Sequence, residues 1–294
     1  MKVAFHPGCV SKGACPELYV SAMAIAEPLG LDIQELTEAP CTGAGVLSEQ
    51  NPDLADCLNG LTLAMAERIG ADLMTICSTC QGVLSQVNYK LVNDQQRLHK
   101  VNTTLAEQGY QYGGTTRVKH LLWILFEDVG IERVRRAIKT QLTGLKIAPF
   151  YGCYILRPLD ALGIKERPER KTYLEQLIAL LGAEPVEYSG STKCCGFPML
   201  TMNREKSLAM AGNHMLEAKD KGADLLVTPC PLCHLNLDGQ QPDAAKVVNR
   251  DIDVPILHLP QLLGLAFGLS PKELRVDHHV VSTKPVLDRI AVKV

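Results

Sequence analysis

"GADLMTICSTCQGVL" at residues 70–84 returns as "GADLLVTPCPLCHLNL" at 222–237, with one residue inserted ahead of the Cys-x-x-Cys. Each copy runs from an apolar stretch straight into two thiols, and so reads as a buried strand emptying onto a tight turn. The repetition extends outward in both directions. "MKVAFHPGCV" (1–10) returns as "LKIAPFYGCYILRP" (145–158), with Lys146, Ala148, Gly152 and Cys153 in the places of Lys2, Ala4, Gly8 and Cys9. "RVKHLLWILFEDVG" (117–130) returns more loosely as "VPILHLPQLLGLAFG" (254–268), aligning His120 with His258. Three matching segments in one order divide the 294 residues into two related halves, expected as domains 1–143 and 144–294.

Each half reads as α/β. "KVAF" and "KIAPF" are short apolar runs ending on a Gly-Cys turn, as buried strands do. "PELYVSAMAIAEPLG" and "KTYLEQLIALLG" place apolar residues at helical spacing and stop at glycine. "LDIQEL" and "AEPVEYS" follow as second strands. The amphipathic "LADCLNGLTLAMAERIG" and "REKSLAMAGNHMLEAKDKG" then lead into "ADLMTI" and "ADLLVT", a third strand in each half. Alternating strands and helices predict mostly parallel sheets, whose strand C-terminal ends collect functional groups. The key cysteines fall at or just after those ends.

Composition narrows the chemistry. Hydrophobic residues make up 46% and charged residues 21%, the balance of a globular chain, and the net charge of −2 leaves no electrostatic footprint for nucleic acid. The N-terminus lacks the long apolar core of a secretory signal, and "ILHLPQLLGLAFGL" (256–269), with its internal proline, is too short to span a bilayer. A cytoplasmic location is expected. Eleven cysteines in a reducing compartment point to metal or redox roles before disulfide staples. Cys57, on a helix-like stretch, reads instead as a small hydrophobe.

The second half carries Cys153, then the adjacent pair Cys194-Cys195, then Cys230-x-x-Cys233. A Cys-x-x-Cys alone serves zinc sites, iron–sulfur sites and redox thiols alike. Here it accompanies an adjacent pair and a fifth cysteine at a strand end. One structural zinc or one cubane takes four ligands, so five converging thiolates imply an iron–sulfur assembly of unusual geometry. Gly196 and Pro198 supply turn chemistry that lets neighbouring side chains face one site. A vicinal disulfide between Cys194 and Cys195 is the competing use, and it leaves the other three cysteines unexplained.

This arrangement resembles the cysteine-rich "CCG" domain. Two copies in a chain of this length resemble the B-type subunit of heterodisulfide reductase and its bacterial relatives, through "FHPGC", "TRVKHLLWIL", "YGCYILRP", "TPCPLCHLNLD" and "LHLPQLLGLAFGLSP". The resemblance implies two pseudo-symmetric, Rossmann-like domains with iron–sulfur clusters at the strand C-terminal ends. It implies a noncubane [4Fe–4S] cluster with a bridging thiolate at each complete motif, and a disulfide substrate between the domains. The family's ligand and catalytic positions carry over to Cys153, Cys194, Cys195, Cys230 and Cys233. It further implies a C-type iron–sulfur partner, an A-type flavoprotein, and a thiol or disulfide substrate. A related reading is the E-type subunit of succinate-dehydrogenase complexes, which passes electrons to quinone and touches the membrane through a C-terminal amphipathic stretch. A zinc-stabilised interaction module is the remaining one.

The first half departs from the pattern. Cys9, Cys41, Cys77 and Cys80 match, but "APCTGAG" (39–45) has Thr42 where the second member of the pair belongs. The interval from Thr42 to Cys77 equals that from Cys195 to Cys230, which locates the replaced ligand. A hydroxyl is a poor soft-metal ligand, so the second iron–sulfur cluster expected in the N-terminal domain stays open between a four-cysteine cubane and an altered cluster, with a site that holds nothing stable as the third alternative. Cys15 is a candidate replacement ligand there. His234, next to Cys233, is a candidate hydrogen-bond donor to a cluster sulfur. Arg157 is a candidate contact for an anionic substrate. His214, His278 and His279 read as solvated or core residues, and His120 and His258 as sharing one structural role. No nucleotide-binding glycine fingerprint is present, so electrons are expected through a partner.

Overall fold

The computed structural model describes residues 1–291. Lys2–His6 (β1), Asp32–Glu35 (β2), Leu73–Thr75 (β3) and Val118–His120 (β4) form a parallel sheet in the order β2-β1-β3-β4. Lys146–Pro149 (β5), Glu184–Pro185 (β6), Leu225–Thr228 (β7) and Ile256–His258 (β8) form a second, in the order β6-β5-β7-β8. The two orders coincide once the repeats are aligned. Pseudo-symmetric α/β architecture is therefore present in full. Central strands β3 and β7 are buried at every position, as parallel strands covered on both faces must be.

The helices start and stop where their caps dictate. Asn51 accepts a hydrogen bond from Leu54 N at 3.1 Å and opens the helix Pro52–Ile69, which ends at Gly70 with φ +70°. In the second half Asn203 caps Lys206 N at 3.0 Å and opens Arg204–Asp220. Apolar runs alone predict three strands per half. The fourth, β4 or β8, is three residues long in each case, too short to carry a periodicity of its own.

The halves do not pack separately. One apolar cluster includes Phe5, Leu18 and Trp123 from the first half with Ile147, Leu177 and Leu262 from the second. Across the same seam the buried Glu127 carboxylate receives both arms of Arg170, at 2.7 and 2.9 Å, and Arg170 lies 3.9 Å over the Trp123 ring. Burial alone pushes the Glu127 carboxyl up; Arg170 and then Lys119 more than offset it, holding it below the usual value. Removing one partner from such a pair costs about 3–5 kcal/mol, because the other charge stays buried. No helix among the described residues is long and apolar enough to cross a membrane. The C-terminal amphipathic helix, Lys284–Ala291, buries Val286 and Ile290 in the shared core, so that apolar side is already covered by the chain itself.

Candidate metal centre

Equivalent strand ends deliver equivalent sulfurs. β3 ends at Thr75, whose Oγ1 accepts from Cys77 N at 3.3 Å; β7 ends at Thr228, whose Oγ1 accepts from Cys230 N, also at 3.3 Å. These threonines fix the first thiol of each Cys-x-x-Cys as the chain leaves the sheet. Cys77 then caps the helix Ser78–Asn93, its Sγ accepting from Cys80 N at 3.4 Å. The loops after β1 and β5 turn on Gly8 (φ +82°) and Gly152 (φ +69°). A Cβ at these positions would lie 3.1 Å from Cys80 Sγ and 2.8 Å from Cys233 Sγ respectively. Only glycine allows the backbone to approach those sulfurs so closely in that conformation.

In the second half Cys153, Cys194, Cys195, Cys230 and Cys233 all line one cavity of about 260 Å³. The adjacent pair sits on a bent loop, as its facing requires. Gly196, at φ +93°, makes the bend; Gly196 N points to Cys194 Sγ and Phe197 N to Cys195 Sγ, each at 3.4 Å. Asn236 Nδ2 donates to the Cys195 carbonyl at 2.7 Å, Ser207 Oγ to the Gly196 carbonyl at 2.9 Å, and His214 Nε2 meets the Cys194 carbonyl at 3.1 Å. These three side chains set the loop. They escape a sequence reading because they act through backbone carbonyls from distant elements. Asn236, one turn past Cys233 on the same helical stretch, carries the only positional hint.

The first half gathers Cys9, Cys41, Cys77 and Cys80. Cys9 and Cys41 sulfurs are 3.5 Å apart and exposed, while Cys77 and Cys80 are buried. Thr42 is buried, and its Oγ1 lies 3.7 Å from Cys80 Sγ, so the hydroxyl stands beside the thiols where the matched interval located it. After Cys77, the buried His6 contributes to lowering the Cys80 thiol below its ordinary value. The two sets touch: Thr79 Oγ1 lies 3.6 Å from Cys230 Sγ, and Ser78 Oγ donates to the Pro229 carbonyl at 3.2 Å.

Crowded sulfurs cannot ionise independently, and their acidities diverge along the string. Cys194 is held far below the ordinary thiol value, first by the hydrogen bond with Cys153 and then by that with Cys195. Cys153 and Cys195 are each pushed up, chiefly by Cys194. Cys230 is lowered by Cys233 and then Cys77, while Cys233 is raised by Cys195 and then Cys230. In the first half Cys80 falls to about 5, led by the Cys77 hydrogen bond, and burial lifts Cys9 to about 11. Such a set holds shared protons that incoming metal ions displace. Among the described residues lining the cavity there is no lysine, arginine or histidine to balance several thiolates. The donor chemistry fits iron–sulfur ligation: soft anionic sulfurs, backbone N–H groups aimed at two of them, and apolar surroundings.

Other candidates lie elsewhere. Cys15 does not join the first set; it is fully buried with its sulfur 3.9 Å from the Pro231 carbonyl in the second half. His234 turns away from the sulfurs, its Nε2 meeting the Ile256 carbonyl at 3.2 Å and His279 Nδ1 at 2.8 Å. Arg157 donates to the Thr192 carbonyl, bracing the loop before Cys194. His279 is buried at its side chain, whereas His120 and His258 each stand immediately before a helix. Cys57 packs as a half-buried apolar residue.

The sequence matches the cysteine-rich domain family, CCG, twice, at residues 3–85 and 147–238, and the HdrB-like C-terminal domain at 197–280. It is 37% identical to the membrane anchor subunit of the 8-methylmenaquinol:fumarate reductase of Wolinella succinogenes, over 95% of this chain and 96% of that one. Identity is 31% to a protein of Archaeoglobus profundus that is like the B-type subunit of heterodisulfide reductase, over 93% of each chain. It is 30% to the B-type subunit of the ferredoxin:CoB-CoM heterodisulfide reductase of Methanosarcina mazei, over 98% of this chain and 97% of that one. A crystal structure of a hypothetical protein from Helicobacter pylori shares the fold at a TM-score of 0.77 and 17% identity; 96% of this chain spans about half, 52%, of that one.

Proposed function

The chain belongs to the HdrB-like family of heterodisulfide reductase proteins built from two CCG cysteine-rich domains, and from that premise we propose that it is the thiol/disulfide-active iron–sulfur component of a multi-subunit reductase. Cys153, Cys194, Cys195, Cys230 and Cys233 would hold a noncubane [4Fe–4S] cluster. Cys9, Cys41, Cys77 and Cys80 would hold a second cluster, with residues 1–143 and 144–294 as the two units. A cluster bound there supplies one-electron transfer and soft acceptor sites for sulfur. An iron–sulfur partner would deliver or accept the electrons, and the proposed location is the cytoplasm.

The observation that carries this reading is the shared cavity. Its lining joins the five thiols to Tyr154, Phe197, Met202, Glu49 and the Ala44–Val46 turn that follows Thr42. A largely apolar lining beside the sulfurs suits a small organic disulfide. Reducing a disulfide to two thiols takes two electrons and two protons. The Cys77 and Cys230 turns, in contact through Ser78 and Thr79, would give those electrons a short route between halves.

A second reading is favoured by one specific observation, the 37% identity to a membrane anchor of a menaquinol-oxidising fumarate reductase. In that case the same clusters would relay electrons between a quinol and a flavoprotein partner, with no disulfide bound. One experiment separates the two. Anaerobic holoprotein, reduced with titanium(III) citrate, is offered an aliphatic disulfide or a menaquinone analogue in vesicles. Free thiol formed in proportion to disulfide added, and lost in Cys194→Ser, is the expected outcome. Quinone reduction without thiol release would replace the first reading by the second.

A further inference from the structure

Cys15, Glu17, His234 and His258 form a second cluster of donors, outside the sulfur sites. Their exposures are 0%, 5%, 4% and 0%, and one ligand atom from each lies within 4.8 Å of the others. Cys15 and Glu17 come from the start of the helix Pro16–Ala24 in the first half. His234 follows the second-half Cys-x-x-Cys, and His258 ends β8. His258 Nε2 lies 3.0 Å from Glu17 Oε1, the Cys15 sulfur faces the Pro231 carbonyl at 3.9 Å, and the His234 and His258 rings stack at 3.9 Å.

The arrangement leaves a charge problem. Glu17 is buried, and no lysine or arginine pairs with it among the described residues. Its histidine neighbour, His258, is fully buried, and the Nδ1 of that ring has no hydrogen-bond partner. A buried carboxylate without a cation is costly. One divalent cation resolves this: a thiolate and a carboxylate cancel its charge, and two neutral imidazoles complete a four-donor set. Sulfur, nitrogen and oxygen donors in that number are the ligand types of a closed zinc site. His234 also has the outer contacts that orient a ligating imidazole, through Nε2 to the Ile256 carbonyl and to His279.

Pseudo-symmetry argues that the set is not a by-product of the repeat. The position equivalent to His234 is Gln81, which donates to Ser85 and the Val118 carbonyl. The equivalent of His258, His120, faces the Pro229 carbonyl at 2.9 Å instead of a carboxylate. The donors therefore assemble on one side of the molecule only.

We propose that Cys15, Glu17, His234 and His258 bind a zinc-class divalent ion. It ties the helix Pro16–Ala24 of the N-terminal half to the Cys-x-x-Cys turn and β8 of the C-terminal half. This site is independent of the iron–sulfur reading, because it shares none of the nine cysteines assigned there.

The test uses full-length protein purified without oxygen, supplied with zinc alone, and examined by elemental analysis and zinc K-edge absorption. About one tightly held zinc per chain is expected, with one sulfur and three nitrogen or oxygen neighbours. His258→Gln and Glu17→Gln should each lose that zinc while iron content stays unchanged, and Cys9→Ser should keep it. A protein that retains no zinc, or zinc in an all-sulfur environment, overturns the proposal. So does zinc that survives both substitutions. Where a variant fails to fold, the wild-type absorption spectrum decides.

Discussion

Cys195→Ser is expected to strip about four irons, with their sulfide, from each chain while leaving the fold in place. Cys195 is 4% exposed and sits between two sulfurs, Cys194 and Cys233, with Phe197 N aimed at its own. It occupies the middle of the string, so its loss breaks the set rather than trimming an end. Serine nearly matches the size of the thiol, and the loop keeps its anchors at Asn236 and Ser207. The packing loss is therefore small, and a neutral hydroxyl does not replace a soft thiolate. Iron and acid-labile sulfide in anaerobically purified protein measure the effect, with far-ultraviolet circular dichroism as the control for folding. Iron unchanged from wild type would remove the ligand role of the vicinal pair.

Thr42→Cys is the converse experiment, and the expected result is a gain. Thr42 Oγ1 already lies 3.7 Å from Cys80 Sγ, and Asn59 Nδ2 holds the Thr42 carbonyl at 3.2 Å, so a thiol placed there enters a pocket of fixed backbone. The first half then has the complete five-sulfur pattern of the second. On the proposal that each complete set holds one cluster, Mössbauer spectra of the reconstituted variant should show the signal of the five-thiol site roughly doubled per chain. A spectrum identical to wild type would mean that the missing sulfur is not what distinguishes the two halves.

Much of this architecture is readable from the repeats alone. The strands at "KVAF" and "ADLLVT", the helices that stop at Gly30 and Gly70, and the arrival of thiols at strand ends follow from apolar runs, glycine stops and matched spacing. The equal intervals Thr42-to-Cys77 and Cys195-to-Cys230 are enough to place Thr42 beside the first thiol set, where it is found. What stays hidden depends on contacts between distant segments. β4 and β8 are too short for periodicity, and their pairing comes from neighbouring strands. The direction of a side chain on a shared turn is equally hidden. His234, adjacent to Cys233, hydrogen-bonds with Ile256 and His279 rather than with the thiols of its own Cys-x-x-Cys, and Cys15, close behind Cys9 in the chain, crosses to the other half. Sequence nearness suggests the wrong partner for both, because helical geometry turns successive residues away from each other.

The proposed function depends on five thiols of the C-terminal half holding one iron–sulfur assembly between them. Iron K-edge anomalous scattering from crystals grown without oxygen would see that assembly itself. Peaks for about four irons are expected within the space bounded by Cys153, Cys194, Cys195, Cys230 and Cys233. Crystals with no iron there, or with Cys194 and Cys195 joined as a cystine, would refute it.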